Sequence, residues 1–207
     1  MVHRDDDVIV NALVRQALSS TQEVMGENGL NAVLRTSGLE RFIGSFPLDD
    51  LAPGINSADY ARLNQAIEDF YGRGGRGMLR RIGKASFQYG VREQAALLGL
   101  AGAALKLLPE KQRIKFILNS MAGALKKSNP NVNAWLEDDE HLAYLEDTCG
   151  ICHSRTSAEP ICHLYVGSID EAIHWATGKS IKITETDCMA KGDPYCRFEV
   201  GEAALDG

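Results

Sequence analysis

Residues 162–200 read CHLYVGSIDEAIHWATGKSIKITETDCMAKGDPYCRFEV. The first half has helical spacing: Leu164, Ile169, Ile173 and Trp175 fit a helix that Gly178 ends. The second half alternates. Ser180–Glu185 and Tyr195–Val200 place apolar side chains on every other residue, joined by a Gly192-Asp193-Pro194 turn, and so predict two strands of a hairpin. That hairpin brings Cys188, at the end of one strand region, against Cys196 at the start of the next. Glu185 stands three residues before Cys188, and Cys162 opens the helix. Thiolates and a carboxylate are suitable tetrahedral ligands for zinc, so these four residues form a candidate ligand set. The alternative for any one of these cysteines is a buried, unligated thiol.

Outward from this stretch, Ser128, Asn129, Pro130 and Asn131 form a turn cluster, and VNAWLEDDEHLAYLEDT (132–148) predicts two short strands about an acidic turn at 137–140. The first 127 residues read as mainly helical. Ile9, Leu13 and Ala17 share a helical face, as do Tyr60, Leu63, Ile67 and Phe70, and Ile114, Ile117, Met121 and Leu125. Boundaries are expected at Asn28-Gly29, in the Pro47–Gly54 loop and at Pro109, with Ser57, Ala58 and Asp59 capping the helix at Tyr60. The fold class expected is α+β: N-terminal helices followed by a small antiparallel sheet with one inserted helix, and a zinc site near the C-terminus. Residues 1–60 would be an N-terminal helical segment and 61–207 a ligand-binding domain, or the whole would form one continuous domain.

Cys162, Gly167, Gly178, Glu185, Cys188, Gly192, Asp193, Cys196 and Phe198 together resemble the 4-vinyl-reductase-like domain of bacteriochlorophyll biosynthesis proteins and of sensor domains in aromatic-responsive transcription activators. The resemblance is close over the last quarter of the chain and looser elsewhere. It implies a zinc ion held by Cys162, Glu185, Cys188 and Cys196. Three thiolates and a carboxylate leave no open position for water, so such a zinc is structural. Lys191 and Arg197 are the basic residues nearest in sequence to offset its charge. The resemblance also implies a hydrophobic or tetrapyrrole ligand, a homodimer, and either a pigment-handling protein, a vinyl reductase or a sensor module. Binding is favoured over reduction, because no dinucleotide fingerprint is present to hold a nicotinamide or flavin.

Composition sets the outer bounds. The 207 residues are 44% hydrophobic and 24% charged, which excludes disorder, collagen and small disulfide scaffolds. The net charge of −6 hides a polarity: residues 62–127 hold 13 Lys/Arg against 4 Asp/Glu, between acidic flanks. A basic middle alone argues against a nucleic-acid binder and leaves room for a local anion site. The start, MVHRDDDVIV, lacks the basic and apolar regions of an export signal, and no apolar run reaches the twenty or so residues of a membrane span. Five cysteines without such a signal point to reduced thiols or metal ligands in the cytoplasm.

Two further stretches draw notice. Cys149-Gly-Ile-Cys152-His153 matches the c-type haem attachment pattern, but the five-residue match is short and that chemistry belongs outside the cytoplasm. The resemblance accounts better for the pair, since stand-alone relatives often carry Cys-x-x-Cys just before the zinc region. Its role is open between metal ligation, redox chemistry, an iron–sulfur contribution with Cys162, and simple packing. The second stretch, Tyr71–Phe87, places Arg73, Arg76, Arg80, Arg81 and Lys84 among four glycines. A basic helix start can bind phosphate or carboxylate, the alternative being a solvated face. Arg76 and Arg80 are its candidate ligand contacts, with tetrapyrrole propionates as the suggested target. The apolar segment from Gln94 to Leu108, with Gly99 and Gly102, permits close packing in a core, a pocket wall or a dimer contact.

Overall fold

The computed structural model describes residues 7–93, 105, 107–129, 131–138 and 141–201. It opens on strand β1 (Val8–Val10) and helix α1 (Asn11–Thr36), followed by β2 (Pro53–Asn56) and α2 (Ser57–Tyr71). A 3-10 turn at Gly72–Gly74 leads into α3 (Gly75–Glu93), and α4 spans Glu110–Ser128. The second half is β3 (Ala134–Asp138), β4 (Leu142–Glu146), α5 (His163–Thr177), β5 (Ile183–Asp187) and β6 (Cys196–Val200). The four late strands form an antiparallel sheet in the order β3-β4-β6-β5, with α5 inserted between β4 and β5 in sequence.

The α+β class and the late sheet with its one helix are as the sequence predicts. The arrangement differs at the front, where strands interrupt the helices. Val8-Ile9-Val10 is a run of β-branched residues, stiff and well suited to extended backbone, and it pairs antiparallel with β2, Ile9 opposite Ile55. Ile9 therefore leaves the expected helical face with Leu13 and Ala17. The first amides of α1 gain partners from the segment before β2: Asn11 and Ala12 N–H donate to the Ala52 and Asp50 carbonyls, each at 2.9 Å.

Other boundaries move for local reasons. The break in α1 falls at Gly26, whose φ of 71° only glycine adopts cheaply, while Asn28 and Gly29 lie inside the helix. The cap of α2 is Asn56, whose side-chain oxygen accepts the Asp59 N–H at 2.7 Å. Leu63 and Ile67 are buried as expected, but Phe70, one turn on at the helix end, is 53% exposed. Trp175 also lies partly outside, edge-on to Phe87. The Gln94–Leu108 stretch falls almost wholly outside the described residues.

The core joins both halves. Leu18 and Leu34 of α1, Ile82 of α3, Ile114 and Ile117 of α4, and Tyr144 and Phe198 of the sheet are all fully buried in one cluster. Helices α3 and α5 cross with their backbones in contact. A Cβ added to Gly83 would fall on the Leu164 carbonyl, and one added to Gly167 on the Arg80 carbonyl. Ser168 Oγ donates to the Gly83 carbonyl at 3.0 Å across this crossing. The close approach fixes α5, and with it Cys162 at its N-cap position.

Candidate functional site

All five cysteines are buried and reduced, and they converge. Antiparallel register sets Glu146, the last residue of β4, opposite Cys196, the first of β6. The chain leaving β4 needs only a few residues to bring Cys149 and Cys152 back over Cys196. Cys162 arrives from the N-cap of α5 and Cys188 from the end of β5, where a register shift between Glu185 and Asp187 bends the strand. The Sγ separations are 3.5 Å for Cys149 and Cys162, 3.5 Å for Cys152 and Cys196, 3.8 Å for Cys162 and Cys196, and 4.0 Å for Cys162 and Cys188. The edge of a tetrahedron with metal–sulfur bonds of about 2.3 Å is about 3.8 Å. This cage has the size of a bound metal ion.

The candidate ligands group into two sets. The donor atoms of Cys162, Glu185, Cys188 and Cys196 all lie within 4.8 Å of one another, and so do those of Cys149, Cys152, Cys162 and Cys196. Glu185 Oε2 accepts the Cys162 N–H at 2.8 Å, while its buried Oε1 has no partner. Without a cation, burial pushes the Glu185 carboxyl up to about 9, and the neighbouring Cys188 adds to the effect. A dication beside it would reverse that shift.

The surroundings hold the cage from outside. Asp193 Oδ2 accepts the Cys188 N–H at 2.8 Å and pairs with Lys191 at 3.0 Å, so Lys191 acts through Asp193. Met189 N–H points at Cys196 Sγ from 3.5 Å. Arg197, the other basic residue nearest in sequence, instead pairs with Glu137 and Glu199 on the sheet.

A cavity of about 140 Å³ lies next to the cage. Its lining comes from far-apart elements: Ile9 and Leu13 at the front, Phe87 of α3, Met121 and Leu125 of α4, and Leu164 and Tyr165 of α5. The wall is chiefly apolar, with one buried carboxyl. Glu146 is 2% exposed, its Oε2 has no partner, and the Tyr165 hydroxyl is within hydrogen-bonding reach. Burial holds its carboxyl well above the usual carboxylate range, and the protonated form that this favours can donate as well as accept. Nothing in the sequence singled out this residue. The available signal was a lone acid closing the otherwise apolar strand LAYLE, every residue of which is buried.

Arg76 and Arg80 line a different hollow, of about 310 Å³, with His163, Lys182, Glu159 and Glu185. Arg76 pairs there with Glu159 at 2.7 Å, both side chains more than half exposed. Burial pushes the His163 imidazole down. The two arginines are not part of the described lining of the apolar cavity.

Residues 147–202 match the sequence model of the V4R domain. Two uncharacterised proteins of Methanocaldococcus jannaschii are similar in part: one is 35% identical over 65 residues (30% of this chain, 28% of that protein), another 31% identical over 87 residues (41% and 50%). The chain thus spans half or less of the length of these relatives. Among solved structures, an oxygen-binding H-NOX domain related to soluble guanylate cyclases superposes with a TM-score of 0.58 at 13% identity, over 93% of both chains. An H-NOX protein from S. oneidensis in the Fe(II)NO state gives 0.56 at 12% identity, over 90% of this chain and 97% of that one. At such identities the likeness is one of fold.

Proposed function

From a V4R domain at residues 147–202, set in a chain with the H-NOX fold, we propose a small-molecule-binding protein whose ligand enters the apolar cavity and whose C-terminal half is held by metal. The single observation that carries this reading is the chiefly apolar cavity bordered by Glu146, whose buried Oε2 has no partner. A buried polar atom without a partner costs roughly 1–3 kcal/mol, and a ligand hydroxyl or carbonyl would recover it. Residues 1–207 are read as one binding unit, since the cavity lining runs from Val8 in β1 to Ser168 in α5. The metal is zinc, held by Cys162, Glu185, Cys188 and Cys196, and its role is structural. Binding rather than vinyl reduction is the favoured activity, in a cytoplasmic homodimer. Among the described residues no helix is long and apolar enough to cross a membrane.

Two ligand classes are favoured by different observations. Cavity size favours a single aromatic ring: about 140 Å³ is close to the roughly 150 Å³ of an engineered cavity that binds benzene. The likeness in fold to H-NOX proteins, a family with structures that concern haem distortion, and the family resemblance favour a tetrapyrrole. The described lining offers no histidine for haem iron, and pockets for drug-sized ligands run to roughly 300–1,000 Å³, so a macrocycle requires the cavity to widen. Arg76 and Arg80 would then serve propionates only from the neighbouring hollow.

Titration of the metal-loaded protein with p-cresol, haemin and a divinyl chlorophyllide tests both classes. Saturable binding of one class should weaken about tenfold in Glu146→Leu, the equivalent of about 1.4 kcal/mol. No saturable binding of any of the three, with the protein folded and loaded, would overturn the reading.

A further inference from the structure

We propose that the cysteine cage holds two divalent metal ions rather than one, bridged by the thiolates of Cys162 and Cys196. One ion is completed by Cys149 and Cys152, the other by Glu185 and Cys188. The proposal extends the single-zinc reading above and rests on it.

The geometry points to two ions because the ligands divide into two tetrads that share one edge. Both tetrads contain Cys162 and Cys196, whose sulfurs are 3.8 Å apart, and each adds its own terminal pair. Two edge-sharing tetrahedra require this arrangement: two bridging sulfurs in the middle and a terminal pair on each side. Cys149 Sγ lies 3.5 Å from one bridging sulfur and Cys152 Sγ 3.5 Å from the other, so the first pair spans the shared edge. Cys188 Sγ reaches Cys162 at 4.0 Å on behalf of the second. Cys-x-x-Cys is itself a common chelating spacing for zinc.

Charge is compatible with a second ion. Five thiolates and one carboxylate against two dications leave two negative charges, the same as three thiolates and one carboxylate around a single dication, so the second ion adds no charge to the buried site. The nearby cations are already engaged: Lys191 with Asp193, Arg197 with Glu137 and Glu199, and Arg155 with Glu68 at 2.8 Å. With a single ion in the Glu185–Cys188 set, Cys149 and Cys152 would sit as spare thiols against bound thiolates. With a single ion in the four-cysteine set, the buried Oε1 of Glu185 would stay unpartnered. Two ions use every donor. Each ion displaces the thiol protons to solvent on binding, with no change of oxidation state.

The test uses the full chain, reduced and stripped of metal, then titrated with Zn²⁺ and separately with ¹¹³Cd²⁺ under anaerobic conditions. Native mass spectrometry is expected to show two ions per chain. Cadmium NMR is expected to show two resonances that split each other through shared sulfur. The double variants Cys149→Ser/Cys152→Ser and Glu185→Gln/Cys188→Ser should each drop to one ion. Should neither variant fold, the wild-type stoichiometry and the cadmium coupling still decide. Saturation at one ion, with Cys149 and Cys152 open to alkylation in the loaded protein, would overturn the second site and leave the single-zinc reading standing. No metal uptake at all would remove both. Acid-labile sulfide in freshly purified protein would replace the bridging thiolates with an iron–sulfur group and so reject the proposal.

Discussion

The cysteine cage and the apolar cavity flank the same short connection from Glu146 to Tyr165, yet opposite means build them. The cage is local in kind and directional: its donors are few, chemically conspicuous and confined to residues 149–196. The cavity is assembled from β1, α1, α2, α3, α4 and α5, each giving one or more ordinary side chains. A bond-forming site depends on particular atoms and tolerates no replacement. A packing-formed site depends on volume, and many sequences could make it. The two should therefore fail in different ways when perturbed.

The sharpest separation comes from removing the metal. If the proposed metal is bound, chelation, or Cys162→Ser, deletes bonds that tie α5 to both ends of the hairpin and leaves buried thiols and a buried carboxyl with no cation. Structural zinc contributes several kcal/mol or more to folding. At about 2–4 °C per kcal/mol for a chain of this size, the thermal midpoint should fall by about 10 °C or more. The pH dependence should change with it. Glu185, raised to about 9 without a cation, keeps its proton in the folded state after the unfolded chain has lost it near pH 4. Metal-free protein should then lose stability steadily from about pH 4 to about pH 9 and level off above that. The loaded protein should lack this slope, because the carboxylate is bound as an anion. Equal slopes in chemical denaturation across that range would separate Glu185 from the metal.

The α3–α5 crossing supports both sites and should respond nearly as strongly. Gly83→Ala or Gly167→Ala drives a methyl group onto a backbone carbonyl that cannot rotate away. Overpacking of this kind costs about 1–3 kcal/mol and more where only backbone can yield. Gly77→Ala, in the same helix but facing open space, should instead gain up to about 1 kcal/mol. Denaturant midpoints of the three variants check the contrast. Both glycine-crossing variants should also reduce metal affinity, since Cys162 rides on α5.

Glu146 tests the cavity by itself. Its pKa is raised by burial, so the folded state favours the protonated form, and stability falls as pH rises past the unfolded value near 4. Glu146→Gln keeps the shape and removes the titration. It should raise the thermal midpoint at pH 7 and flatten part of the pH slope while leaving metal content unchanged. A fall in midpoint together with metal loss would mean that Glu146 supports the cage and not the cavity.

The same contrast governs what was legible beforehand. Alternation in SIKITE and YCRFEV, the Gly192–Pro194 turn and the cysteine spacing pointed to the hairpin and to four side chains that the fold brings together, because each is written in residue type at short range. The part Cys149 and Cys152 play was open, because only the register of β4 on β6 brings them over Cys196. Glu146 went unnoticed for a related reason: its burial depends on a central strand covered on both faces, a tertiary fact. β1 was misread because three residues give either period, and its partner β2 lies more than 40 residues away.

The smallest effect should come from the Arg76–Glu159 pair. Both side chains are more than half exposed, so solvent screens the charges and the chains pay entropy to hold one geometry. Glu159→Ala should change stability by less than about 1 kcal/mol and leave metal binding untouched. Its value lies in what it frees: with Glu159 gone, Arg76 faces a hollow it shares with Arg80 and Lys182, whose remaining acid is Glu185. If that carboxylate is committed to metal, the hollow becomes net positive and should take up inorganic phosphate measurably better in the loaded Glu159→Ala protein than in the stripped one. Isothermal titration at low salt reads this difference. Equal uptake in both forms would show that the basic stretch is a solvated face, electrically separate from the cage it borders.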